Sequence, residues 1–222
     1  MPVIEIFPKP IGVYSLEKER HLKLKDQCLS LIQEKYVKET KLTNEENHRL
    51  EHFLNKDNQN LFDYEEFKWF EKWLEEQCVD YIENILGCEL KDGVIITDCW
   101  LNKCDAGGTQ FPHNHTNSYI SGTYYVNYIK DLHSSLRFKN KNLIYEYCSE
   151  NPVMMVPFKK PTKYNSIFAE MSYNEGDLLL WESYHSHGFD TNMEDNRISI
   201  SFNVMPRYLS SSGVYGFKIE RS

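Results

Sequence analysis

The 222-residue chain has no apolar run longer than four or five residues, far short of the roughly 20 that a membrane-spanning helix needs. Its first ten residues, MetProValIleGluIlePheProLysPro, show no basic stretch leading into an apolar one, so no secretory signal is expected. None of the six cysteines, at 28, 78, 88, 99, 104 and 148, pairs with another at CxxC spacing. A structural zinc knuckle is therefore not expected, and the thiols read as reduced residues of a cytosolic protein. No internal repeat or low-complexity tract is present. Positive charge is also in deficit. The net charge is −8, and residues 1–92 carry 20 acidic against 13 basic side chains, leaving 13 and 12 for residues 93–222. A broad polyanion-binding face is disfavoured. Nucleic acid is not an expected partner, although a single flipped base would need only a local pocket. Lys159, Lys160 and Lys163 form a small basic cluster that reads as a solvated loop.

What the chain does have is 14% aromatic residues, among them 15 Tyr, a content suited to pleated surfaces. Pro8 and Pro10 keep residues 2–13 extended. Residues 16–38 read as a helix, with Leu24, Cys28, Leu31 and Ile32 at helical spacing. Residues 39–61 read as polar loop with one short helical stretch. Over 64–87, Phe67, Phe70, Leu74, Cys78, Tyr81, Ile82 and Ile85 form one stripe, with Gly87 as its stop. From residue 93 the period changes from 3.6 to 2. Strands are predicted over 94–104, 118–129, 135–139, 152–158, 165–171, 177–183 and 197–206. The expected fold is mostly β with N-terminal helices: a sandwich or open barrel with the helices on one face. Segments between strands are too short for a doubly wound parallel sheet.

Four of the eight His fall in two tight pairs, His113–Asn114–His115 and His185–Ser186–His187. On a strand, residues i and i+2 share a face, so each pair can aim two imidazoles into one cavity. Two readings fit: polar core or surface histidines, or imidazoles from distant strands converging on one metal. Gly107 and Gly108 precede the first pair and allow a tight reversal. Arg197 follows His187 by ten residues and opens the next strand. It reads either as a surface residue paired with Glu194 or Asp195, or as a buried clamp for a carboxylate. Ser199 shares its face. Tyr124, Tyr125, Trp181 and Phe202 are candidate apolar walls.

These residues resemble the iron(II)/2-oxoglutarate-dependent dioxygenases, and within them a bacterial and phage group related to prolyl 4-hydroxylases. The matching segments are LysCysAspAlaGlyGlyThrGlnPheProHisAsnHis (103–115), SerGlyThrTyrTyrVal (121–126), GlyAspLeuLeuLeuTrpGluSer (176–183), HisGlyPhe (187–189) and AsnArgIleSerIleSerPheAsn (196–203). PheProLysPro (7–10) and the helical segment are similar too, less specifically. The resemblance implies a double-stranded β-helix, or jelly roll, with helices packed on one outer face. It implies a single domain over 1–222: an N-terminal segment 1–92, a core 93–207 and a tail 208–222. It implies that His113 and His187 bind iron, that Arg197 holds the far carboxylate of 2-oxoglutarate, and that Ser199 assists. Asn102, Asn203 and Tyr124 are further cosubstrate candidates. His185 has no counterpart.

Position 115 departs from the family pattern. An Asp or Glu is usual there, and this chain has His115, read as a third imidazole ligand. Three neutral ligands leave the charge of the ion to be balanced by the 2-oxoglutarate dianion. A carboxylate recruited from elsewhere, such as Asp105 or Glu182, and zinc in place of iron are the alternatives. The implied activity is a hydroxylase that consumes oxygen and 2-oxoglutarate and releases succinate and carbon dioxide, with a peptidyl side chain such as proline as first-choice substrate. The expected location is the cytoplasm of a bacterium or of a phage-infected host. Two rival functions stand beside this one: a cupin-like three-His enzyme that does not use 2-oxoglutarate, and a non-enzymatic jelly roll that binds metal structurally.

Overall fold

The computed structural model describes residues 4–5, 8–38, 50–54, 60–140, 159–160, 162–211 and 213–221. Two antiparallel sheets face each other. The large one has the order β1 (Gly12–Ser15), β8 (Asp177–Glu182), β5 (Ile120–Asn127), β10 (Arg197–Pro206), β3 (Val94–Cys104) and β2 (Leu50–Phe53). The small one has the order β4 (Gln110–His113), β9 (His187–Phe189), β6 (Arg137–Lys139) and β7 (Phe168–Glu170). This is the jelly-roll architecture the sequence predicts. A hairpin of β11 (Tyr208–Ser211) and β12 (Tyr215–Lys218) follows where a plain tail is expected.

Helices α1 (Lys18–Lys38) and α2 (Lys68–Asp80) cover the outer face of the large sheet. The stripe of α2 is buried as its spacing predicts, with Phe67, Phe70, Leu74, Cys78, Tyr81 and Ile82 all inaccessible. Ile85 leaves it: the last turn widens over Tyr81–Ile85 and turns that side chain outward. Gly87 then ends the helical run at φ +70, the left-handed conformation that favours glycine.

Pleating divides each central strand between two cores. On β8, Leu178 and Leu180 join the helix-side cluster, while Leu179 and Trp181 join a second cluster between the sheets with Tyr125, Tyr128, Leu136 and Tyr173. A strand buried on both faces has no solvent side to mark with polar residues, which accounts for the unbroken LeuLeuLeuTrp run. On β10 the alternation has a different meaning. Ile198, Ile200, Phe202 and Val204 pack toward the helices, and Arg197, Ser199 and Asn203 on the opposite face are also buried. That polar face borders the space between the sheets.

β1 and β2, from the N-terminal segment, form the two edges of the large sheet. β2 replaces part of the loop expected over 39–61, and residues 39–49 and 55–59 of that stretch, with its expected short helical piece, lie outside the described residues. The strand expected over 152–158 lies outside the described residues. So does Cys148; the other five cysteines are free thiols.

Candidate active site

His113 ends β4 and stands directly opposite His187, the first residue of β9. A β-carbon at Gly188 would sit 2.4 Å from the Gln110 carbonyl oxygen, so glycine beside His187 is what lets β4 come this close. The two imidazole centroids are 4.5 Å apart. His115 lies two residues past β4, where its backbone N–H donates to the Ser183 carbonyl at 3.0 Å. Its ring is 5.2 Å from each of the other two. One ligand nitrogen from each ring lies within 4.8 Å of the others. His187 is buried and its two partners are half-buried, so among the described residues the cluster opens on the His113–His115 side. The second sequence pair separates: the backbone carbonyl of His185, not its ring, serves the cluster.

Each Nδ1 faces an oxygen acceptor. The partners are Phe111 O at 3.0 Å for His113, His185 O at 2.9 Å for His187 and Asn203 Oδ1 at 2.5 Å for His115. An acceptor at Nδ1 places the proton there and leaves the Nε2 lone pair free, the arrangement metal-binding imidazoles use. Burial pushes the His187 pKa down to about 3 and also lowers that of His115. Both are thus neutral near pH 7, as ligation requires. The donor set fits a first-row divalent metal such as iron(II). Among the described residues no carboxylate joins the cluster. Asp105 is held by Lys103 at 2.5 Å and by the Asn196 N–H at 2.9 Å. Glu182 accepts from the Tyr184 hydroxyl at 3.0 Å. Neither expected stand-in replaces a ligand at position 115.

Beside the histidines lies a cavity lined by residues that include Asn102, Thr123, Tyr125, Trp181, Arg197, Ser199 and Ser201. Arg197 is 2% exposed. Its Nε donates to the Ser134 carbonyl at 3.0 Å, and the rings of Phe189 and Tyr125 flank it at 4.1 and 5.5 Å. The surface pairing does not form: Asp195 accepts from the Ala106 N–H and Glu194 from the Asp195 N–H. Among the described residues no carboxylate pairs with Arg197. A buried cation without a counter-ion costs several kcal/mol, on the order of what an anion would return on binding. Two more donors stand ready. The Tyr125 hydroxyl and the Trp181 indole N–H are buried without a hydrogen-bond partner; Tyr173 stacks on Tyr125 at 3.8 Å but accepts no well-formed bond. One cation and two orphaned donors around one cavity fit a dicarboxylate.

Three expectations are corrected. Tyr124 does not reach the cavity, because pleating turns it to the helices, where its hydroxyl meets His21 Nδ1 at 2.8 Å. Phe202 lies in the same helix-side core. Asn203 does not line the cavity and is bonded to His115 instead. Asn102 does line it, with its amide engaged by His52 at 2.5 Å and Ser201 at 2.8 Å. The polar face Ser121–Thr123–Tyr125 on β5 carried the signal for Tyr125 as the donor, by the same period-two argument that groups Arg197 with Ser199 and Ser201.

A family model for 2OG-Fe(II) oxygenases matches residues 98–203, which contain all three histidines, Arg197, Tyr125 and Trp181. No curated protein matches the sequence. Among solved structures, HygX from Streptomyces hygroscopicus with nickel, 2-oxoglutarate and hygromycin B bound superposes with a TM-score of 0.59 at 10% identity, over 89% of this chain and 83% of that one. A Pseudomonas putida prolyl-4-hydroxylase gives 0.54 at 10% identity, over 88% and 92%. The non-heme alpha-ketoglutarate-dependent epimerase SnoN from nogalamycin biosynthesis gives 0.59 at 10% identity, over 93% and 83%. At such identity these likenesses speak for the fold, and the matched motif speaks for the chemistry. The sequence match over residues 98–203, the jelly-roll fold and the three-histidine cluster thus agree on a 2OG-Fe(II) oxygenase domain.

Proposed function

We propose that this oxygenase holds its metal by His113, His115 and His187, binds 2-oxoglutarate against Arg197, and hydroxylates a side chain presented by a peptide or protein, proline being the first candidate. The observation that carries the reading is Arg197: a buried guanidinium without a carboxylate partner among the described residues, in the cavity that the three histidines border. Iron(II), when bound, supplies the redox chemistry that couples oxygen and 2-oxoglutarate decarboxylation to oxidation of a substrate C–H bond. The protein's own groups do the rest. Three oxygen acceptors, on Phe111, His185 and Asn203, receive the Nδ1–H groups and fix the ligand tautomers. Arg197 takes the far carboxylate in a bidentate contact, with Ser199, the Tyr125 hydroxyl and the Trp181 N–H as further donors. Trp181 also packs edge-on against His187 at 4.7 Å and helps keep water from that side. The peptide reading is supported by the open side of the cluster, where Trp100 lies 6.0 Å from the His115 ring and Phe111 is 73% exposed, and by the fold shared with a prolyl hydroxylase. We read residues 1–222 as one working unit, since β1 and β2 complete the large sheet.

Succinate formation in the presence of iron(II), 2-oxoglutarate and oxygen tests the assignment. Enzyme with Arg197→Ala, and enzyme without 2-oxoglutarate, serve as controls. A metal-loaded protein that makes no succinate with any peptide pool, and whose metal leaves only on unfolding, would instead be a structural metal jelly roll. For the substrate, host extracts treated with native and His113→Ala enzyme are compared by mass spectrometry for +16 Da peptides.

A further inference from the structure

The unusual ligand has an unusual support. Asn203 sits on β10 directly opposite Asp98 on β3 and Ser121 on β5. The β10–β3 register slips by one residue between Asn203 and Val204, and such a bulge re-aims the side chain beside it. Here the amide is aimed at His115. Asn203 Oδ1 accepts from His115 Nδ1 at 2.5 Å, with the Ser121 hydroxyl at 3.2 Å from the same oxygen. At the other end, Asn203 Nδ2 donates to Asp98 Oδ2 at 3.3 Å, and the Thr97 hydroxyl donates to that carboxylate oxygen at 2.9 Å. The carboxylate accepts only, so it settles which way the amide points: nitrogen toward Asp98, oxygen toward His115. His113 and His187 need no such device, because backbone carbonyls hold them.

We propose that Asn203, oriented by Asp98, is a positioning residue that holds His115 in the Nδ1-protonated tautomer with Nε2 presented to the metal. The proposal rests on the three-histidine reading of the site. It explains how a histidine works where relatives of this family pattern use a shorter carboxylate. A carboxylate ligand has no tautomer to fix, whereas an imidazole with its proton on Nε2 cannot ligate through that atom.

The tautomer is read in the metal-free protein by two-bond proton–nitrogen correlation spectra of 15N-histidine-labelled samples. Nickel(II) affinity is read separately by calorimetry. In the native protein His115 should be protonated on Nδ1. Asn203→Ala should bring in the Nε2-protonated form and weaken nickel binding about 10- to 100-fold, the usual range for loss of a residue supporting a ligand. The exchanged pair Asn203→Asp with Asp98→Asn keeps an acceptor toward His115 and a donor behind it, so it should restore both readouts. The other histidine resonances report that each variant is folded. An Asn203→Ala protein with unchanged His115 tautomer and unchanged nickel affinity would overturn the proposal, as would an exchanged pair no better than alanine. If the native protein binds no nickel yet loses its Nδ1 tautomer in Asn203→Ala, the metal reading fails while the positioning of His115 stands.

Discussion

Tyr124 and Tyr125 are consecutive on β5 and serve opposite sides of the large sheet. The Tyr124 hydroxyl meets His21 on α1 at 2.8 Å, and the Tyr125 hydroxyl stands unpaired beside Arg197. Removing each hydroxyl should therefore have separate effects. A hydrogen bond to a charged ligand contributes about 1.5–3 kcal/mol, so Tyr125→Phe should raise the KM for 2-oxoglutarate roughly tenfold or more. Tyr124→Phe should leave that KM alone and lower stability by about 0.5–1.5 kcal/mol. Equal KM values for the two variants would remove Tyr125 from the cosubstrate site.

As the proposed clamp, Arg197 should trade stability for binding. Arg197→Met keeps most of the side-chain volume and removes the buried charge. The ligand-free variant should melt at the native temperature or above it, because it no longer buries an unpaired ion. Its 2-oxoglutarate affinity should fall by about 2–5 kcal/mol, more than tenfold. Thermal melts with and without 2-oxoglutarate supply both readings, and a ligand-induced shift equal to that of the native protein would refute the clamp.

His187→Ala removes the buried member of the cluster and should abolish stoichiometric metal, measured by elemental analysis after dialysis against iron(II). An unchanged metal content would show that the ion lies elsewhere.

His115→Asp sets two effects against each other. The carboxylate adds Coulombic attraction to the ion in a site screened less than water. It also places an anion against Asn203 Oδ1, so the amide must turn over and give up its bond to Asp98. With Asn203 intact, iron affinity should rise only modestly, if the shorter side chain reaches. Anaerobic iron titrations of native, His115→Asp and His115→Ala proteins decide, and three identical curves would exclude residue 115 as a ligand.

His133 gives the fold an acid-sensitive point. Its Nδ1 accepts from the Ile129 N–H at 3.0 Å and its Nε2 donates to the Asp195 carbonyl at 2.9 Å, so the ring is neutral by construction. Burial first, and then the nearby Arg197 charge, lower its pKa from the ordinary value near 6.5, against the pull of the Asp195 carbonyl. The unfolded chain takes up this proton more readily than the folded one. The contribution is complete above about pH 6.5 and declines as pH falls below it, by at most about 1.4 kcal/mol per pH unit. Urea unfolding of the metal-free protein between pH 8 and 5.5 should show this decline on top of those from His187 and His115, whose pKa values burial also lowers, and His133→Gln should make the profile shallower. Parallel pH profiles would rule His133 out as the source.

Much of the site was legible because its parts are short-range patterns. β10 runs from Arg197 to Pro206, the span its alternation predicts, and HisAsnHis supplies two of the three clustered imidazoles within three residues. Other features depend on the partner strand and leave no local mark. Whether Tyr124 or Tyr125 faces the cavity follows from the phase of the pleat, and two adjacent tyrosines hide that phase unless Ser121 and Thr123 are read with them. β4 and β9 are only four and three residues long, too short for periodicity to register. The sequence offers Asn203 only as a cosubstrate candidate, whereas its bond to His115 depends on a bulge that the β3 pairing reveals.

The pairing of β10 with β3 has a consequence for the order of events in synthesis. Ser199 is matched to Asn102 and Asn203 to Asp98, contacts about a hundred residues apart along the chain. Such a topology closes large loops before it gains stability, and folding slows accordingly. His113 meets His187 only after the intervening chain has been made, and Asn203 reaches His115 later still. A ribosome-bound fragment ending before β10 thus lacks both the clamp at Arg197 and the prop at Asn203. On the proposed reading, a chain stalled at that stage has all three histidines but not Asn203, and would hold a metal through a less firmly oriented His115 than the finished chain.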